Sequence, residues 1–120
     1  MSNPTFTDVA VVGMHFRERE GVQAKSIVAN FVPPVSLDFE REPHNAYDAY
    51  AIKIFYKGQH IGYATASDAA YIAPYLDENI PYVCTVTHME ARGKNLHPIT
   101  NWVPADEAEF AAEDFDDAGD

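Results

Sequence analysis

The sequence holds one cysteine, Cys84, among 120 residues. A single thiol excludes an internal disulfide and any all-cysteine metal site. No apolar run approaches the roughly 20 residues that a membrane-spanning helix needs. The opening Met-Ser-Asn-Pro-Thr has neither the basic nor the apolar region of a signal peptide. The chain therefore reads as soluble and cytoplasmic, with no membrane partner. Basic residues are scarce: eight Lys and Arg stand against nineteen Asp and Glu, for a net charge of −11. Composition thus gives no sign of a basic groove tracking a nucleic-acid backbone. No Gly-rich phosphate loop or nucleophile elbow is present. No carboxylate pair sits in an apolar setting that would raise a pKa. The five histidines, His15, His44, His60, His88 and His97, lack tight metal spacing. Cys84 and His88 would lie about 13 Å apart along a strand, too far for a nucleophile pair. No enzyme, metal or cofactor is expected.

Much of the negative charge is local. Residues 104–120 carry eight acids and no base, which leaves a net of −3 for residues 1–103. The chain divides on this reading into a folded domain, 1–103, and an acidic tail, 104–120, either disordered or partner-docking. Phe110 and Phe115 are the tail's candidate anchors for a basic, apolar groove on another protein. Its spaced carboxylates would also imitate DNA phosphates. A short helix over 106–115 suits Pro104 ahead of it and the acids near its start.

The remaining pattern is mostly short strands. Residues 8–16 are β-branched and read as a strand that Gly13 interrupts. Residues 17–21 read as a polar turn. Residues 22–31 fit a strand or a short helix over 23–29, and Pro33-Pro34 closes the segment. Val35, Leu37 and Phe39 alternate with Ser36, Asp38 and Glu40, the pattern of a half-buried strand. A turn-rich loop, 41–48, follows. Residues 51–56 and 60–64 make a hairpin around Lys57-Gly58-Gln59. Ser67 reads as the N-cap of a helix that buries Ala69, Ile72, Ala73 and Leu76, and Pro74 should kink or split it. Residues 82–89 form a strand with Tyr82, Cys84, Val86 and His88 on one face. Residues 96–103 supply a last strand that Pro98 marks as an edge. Six or so strands with one or two short helices predict a mainly β fold of α+β type, a small and partly open barrel.

Three segments together resemble the HIRAN family. They are Val12-Gly13-Met14-His15-Phe16, the run from Leu37 to Ile54 with Arg41-Glu42-Pro43-His44-Asn45-Ala46-Tyr47-Asp48 inside it, and Gly58-Gln59-His60-Ile61-Gly62-Tyr63 with the helix that follows. The resemblance implies an OB-like barrel that binds single-stranded DNA, in the best-understood members at a free 3′ end, in repair or replication. With Met first and no room for a helicase, it implies the free-standing bacterial or phage kind. On the family's pattern Phe16, Tyr47 and Tyr63 would stack on the terminal base, since base stacking is worth about 1–3 kcal/mol. Asp48 would accept a bond from the 3′-hydroxyl and repel a 3′-phosphate. Asn45 would hold the loop or the nucleotide. Lys53, Arg41 and Arg17 would reach phosphate. His15 and Ala66 stand where members that bind DNA ends carry strong cations, which predicts weak, salt-sensitive binding. The loop residues also have a plainer reading, as turn formers with Asp48 capping backbone N–H groups. The alternative function is an acidic protein-binding module, or a DNA-mimicking inhibitor, on the same fold.

Overall fold

A computed structural model describes residues 3–13 and 18–108; in the first helix it describes side chains from Ala24 onward. The elements run β1 (Phe6–Val12), α1 (Glu18–Ala29), β2 (Val35–Arg41), β3 (Ile52–Tyr56), β4 (Gln59–Ala64), α2 (Ala66–Asp77), β5 (Tyr82–Arg92) and β6 (Asn95–Pro104). Six antiparallel strands close in the order β1-β4-β3-β2-β5-β6, with β6 returning to β1. The fold is mainly β and OB-like. Closure removes the edges that a partly open barrel would have kept.

Alternation fixes the inner face. Leu37 of β2, Ile52 and Ile54 of β3, and Cys84 and Val86 of β5 are buried. They share one core cluster with Trp102 of β6, which is fully buried with its ring centroid 4.6 Å from that of Phe39. Its indole N–H donates to Thr100 Oγ1 at 2.9 Å, and Thr100 donates to the Val9 carbonyl at 2.7 Å. The polar atoms at the barrel's centre are thus satisfied. Burying such a side chain is worth roughly 5 kcal/mol at about 200 Å² of apolar area. The β3–β4 hairpin turns on Lys57 and Gly58, both at positive φ (47° and 82°). That is the geometry a tight two-residue hairpin demands.

Several expectations change. Glu18–Gly21 are helical rather than a polar turn, and within the open segment 22–31 that helix continues to Ala29. Ala24 and Val28 of α1 lie in the core cluster, so packing on the barrel fixes what the polar start of the segment concealed. The N-cap of α2 is Thr65, not Ser67. Thr65 makes no side-chain cap bond, because its hydroxyl and its N–H both donate to the Ala10 carbonyl, at 2.9 and 3.0 Å. Pro74 neither splits nor ends α2. It lies in the last turn, where it removes a single backbone bond. A Schellman closure follows, with Asn79 at φ 63°, Asn79 N–H donating to Leu76 O and Ile80 N–H to Tyr75 O. His88 is exposed rather than inward, because a bulge between Val86 and His88 shifts the β5 register. Pro98 is buried in a strand paired on both sides rather than at an edge. It sits one residue beyond the last β1–β6 pair, Ala10 with Ile99, where the β1 ladder ends. Beyond β6, residues 105–108 are helical and Ala105 N–H donates to Pro81 O at 2.8 Å.

Candidate nucleic-acid interface

The connection from β2 to β3 builds the candidate site. Its neck closes where Glu42 N–H donates to Ala51 O at 2.9 Å. Inside it, Asn45 Oδ1 accepts from the N–H groups of Tyr47 (2.9 Å) and Asp48 (3.0 Å). Asp48 Oδ1 accepts from Tyr50 N–H at 2.9 Å. These short side-chain to backbone bonds hold the turn that Asn and Asp favour. Arg41 ties the loop to its surroundings. Its guanidinium donates to Ala51 O (2.8 Å) and Ala49 O (2.9 Å), and grips Asp77 at the end of α2 through Nε and Nη2 (2.9 and 3.1 Å).

Glu42 is the keystone beneath the loop. Its Oε1 accepts from Asn45 Nδ2 (2.8 Å) and from the Tyr63 hydroxyl (3.0 Å), while Oε2 pairs with Lys53 Nζ at 3.0 Å. Partial burial opposes the charge on Glu42. The bonds from Asn45, Lys53 and Tyr63 outweigh it and hold the carboxyl below its ordinary range. Glu42 is therefore an anion at neutral pH, and it fixes the rings and amides around it.

Two cavities flank Tyr47. One, of about 340 Å³, is lined by Asn45, Tyr47, Asp48, Ala51 and Tyr63. The other, of about 470 Å³, runs from Glu42 to Tyr47 and also touches Tyr63. Tyr47 is 99% exposed, a free aromatic wall between them. Tyr63 is half-buried and meets the His60 ring edge-on at 5.1 Å. Asp48 is half-buried, and its Oδ2 has no partner among the described residues. Another cavity, of about 520 Å³, lies at the far end of β2 around Phe31, Val32, Tyr56 and Lys57, away from these groups.

Asn45, Tyr47, Asp48 and Tyr63, named from the sequence, thus come together on one cavity. Arg41 and Lys53 do not reach it as free cations. Each is held by a carboxylate that only the fold brings near, Asp77 for Arg41 and Glu42 for Lys53. His15, Phe16, Arg17, Phe110 and Phe115 lie outside the described residues. Sequence reasoning missed Glu42 and Ala51. The signal for Glu42 was its place in Arg-Glu-Pro-x-Asn, three residues before Asn45. Among the described residues, no group of three or more His, Cys, Asp and Glu could hold a metal ion. None of the helices there is long and apolar enough to cross a membrane.

A closed OB-like barrel with a strapped loop, an exposed ring and a half-free carboxylate defines a small binding domain. The chain belongs to the HIRAN family: the family model, HIRAN domain, matches residues 5–99. HIRAN domains are DNA-binding modules. Two solved structures share the fold. One, a protein from Lactobacillus plantarum, has a TM-score of 0.66 at 18% identity and covers 83% of this chain and 94% of its own. The other, the HIRAN domain of human HLTF, has a TM-score of 0.56 at 20% identity and covers 97% of this chain and 89% of its own. No curated protein matches the chain.

Proposed function

We propose that this protein is a non-catalytic module that receives the 3′ end of single-stranded DNA in the cleft of Tyr47, Tyr63, Asn45 and Asp48. The observation that carries the reading is the meeting, on one cavity of about 340 Å³, of a free aromatic wall and a carboxylate with an unused oxygen. That volume suits one small ligand group. A terminal base stacks on Tyr47, and the 3′-hydroxyl donates to Asp48 Oδ2. A 3′-phosphate would bring like charges together there and is rejected. The internal pairing of Arg41 and Lys53 supports weak binding in which stacking outweighs phosphate attraction. Cys84 does not line the cleft. Burial pushes Cys84 up to about 12, despite a hydrogen bond with Thr100, so it stays a thiol inside the barrel.

The test is Asp48→Asn, which keeps an acceptor for Tyr50 N–H while removing the charge. Fluorescence anisotropy with short strands ending in 3′-hydroxyl or 3′-phosphate reads the discrimination. Wild type should prefer the hydroxyl and the variant should lose most of that preference. Equal binding of both ends by wild type would overturn the proposal. The alternative, a basic protein partner captured by the acidic tail with Phe110 and Phe115, predicts that removing residues 105–120 abolishes capture. On the DNA-end reading that deletion strengthens DNA binding by removing like-charge repulsion.

A further inference from the structure

Six cations lie among the residues with described side chains: Lys25, Arg41, Lys53, Lys57, Arg92 and Lys94. Three rest on carboxylates, Arg41 on Asp77, Lys53 on Glu42 and Arg92 on Glu90. Lys57 lies over the Tyr56 ring, 5.3 Å from its centroid. Lys25 and Lys94 have no such partner among the described residues. Both line the same groove, about 180 Å³, with Val28, Ala29, Asn95 and Leu96. The fold brings them together: α1 packs against β6, and Lys94 sits in the turn between β5 and β6. Two ammonium groups without a carboxylate partner among the described residues, on one groove, raise its potential in an otherwise acidic protein, and an anion lowers it again. The groove is smaller than pockets that enclose drug-sized ligands, so it suits a compact anion such as a phosphate.

The groove is also close to the cleft. Tyr63 of the cleft pairs with Val12 of β1. The Val11 carbonyl is hydrogen-bonded to His97 Nδ1 at 2.9 Å, and His97 adjoins Leu96 of the groove. From Tyr63 to His97 is therefore about two strand spacings, roughly 10 Å, and Lys94 lies three residues further along, about another 10 Å. OB-type domains track several nucleotides of backbone, at least about 4 per site. We infer that the Lys25–Lys94 groove is a phosphate-binding site for a single strand whose 3′ end lies in the Tyr47–Tyr63 cleft, an inference that rests on the end-binding reading above. The groove supplies the phosphate contacts that the internally paired Arg41 and Lys53 do not.

The experiment compares wild type with the double variant Lys25→Gln/Lys94→Gln, two exposed positions. Anisotropy is followed across a salt series with 5′-labelled thymidine 3-mers and 10-mers ending in 3′-hydroxyl. For the 10-mer, the slope of log affinity against log salt should shrink by about 1.4, two contacts at about 0.7 each on single strands. The 3-mer slope should shrink less than that of the 10-mer, and the preference for 3′-hydroxyl over 3′-phosphate should not change. An unchanged 10-mer slope, with end preference intact, overturns the groove and leaves the end-binding reading standing. A lysine-dependent slope without any end preference supports the groove and overturns end binding. No binding of either strand overturns both.

Discussion

Glu42→Gln tests the claim that one carboxylate organises the cleft. Gln keeps an acceptor for Asn45 and Tyr63 but turns an amide N–H₂ toward the Lys53 ammonium. Hydrogen bonds to a charged group are worth about 1.5–3 kcal/mol and neutral ones about 1, so each of the two retained bonds weakens by about 0.5–2 kcal/mol. The Lys53 pair keeps 31% and 25% side-chain exposure, which places its share nearer the surface value of about 0.5 kcal/mol. The total is about 1.5–4.5 kcal/mol, or at least about 5 °C in Tm for a domain of this size. The pH dependence has a definite sign. The Glu42 carboxyl is held below its unfolded value. Its contribution is therefore present above the ordinary Glu value, about 4.3, and is lost as the pH falls through the folded value. Thermal unfolding followed by circular dichroism should show the wild type and the variant far apart at neutral pH and converging in acid. A neutral-pH difference under about 2 °C, or a gap that persists undiminished in acid, would refute the reasoning.

The other predictions separate binding from folding. Tyr47→Ala should weaken binding of a 3′-hydroxyl strand by about 5- to 150-fold while leaving Tm within about a degree, because the ring packs on nothing; a lower Tm with unchanged affinity would contradict this. Arg41→Lys should behave the opposite way, since one ammonium cannot replace the grip on Asp77 and two carbonyls. It should cost about 1–3 kcal/mol of stability and speed proteolytic nicking within 42–51, as limited proteolysis would show. Cys84 should resist a thiol reagent in the native protein and react on unfolding; reaction at the rate of a free thiol under native conditions would place it elsewhere than in the barrel.

The strands were legible where one face is buried and the other wet. Val35, Leu37 and Phe39 announce β2, and Lys57-Gly58 announces the β3–β4 hairpin, because both signals are local. α1 was not legible. Its start is polar, Gly21 lies within it, and its helicity depends on Ala24 and Val28 packing against strands distant in sequence. The misreadings at Thr65, His88 and Pro98 share that origin. Each residue answers to β1 or to a bulge opposite β6, which sequence spacing does not reveal. In the site, Asn45, Tyr47, Asp48 and Tyr63 were legible from a motif with fixed spacing. The fate of Arg41 was not, because Asp77 lies 36 positions away. Lys25 and Lys94 were invisible for the same reason: neither has a motif, and only the packing of α1 beside β6 unites them.

The most direct test of the account is an amide chemical-shift titration of the protein with a short thymidine strand ending in 3′-hydroxyl. The account predicts that the largest shifts fall on Asn45, Tyr47, Asp48, Ala51 and Tyr63, extend to Lys25 and Lys94 as the strand lengthens, and shrink when the end is a 3′-phosphate. Shifts centred instead on the groove of Phe31, Val32, Tyr56 and Lys57, or shifts indifferent to the chemistry of the end, would contradict it.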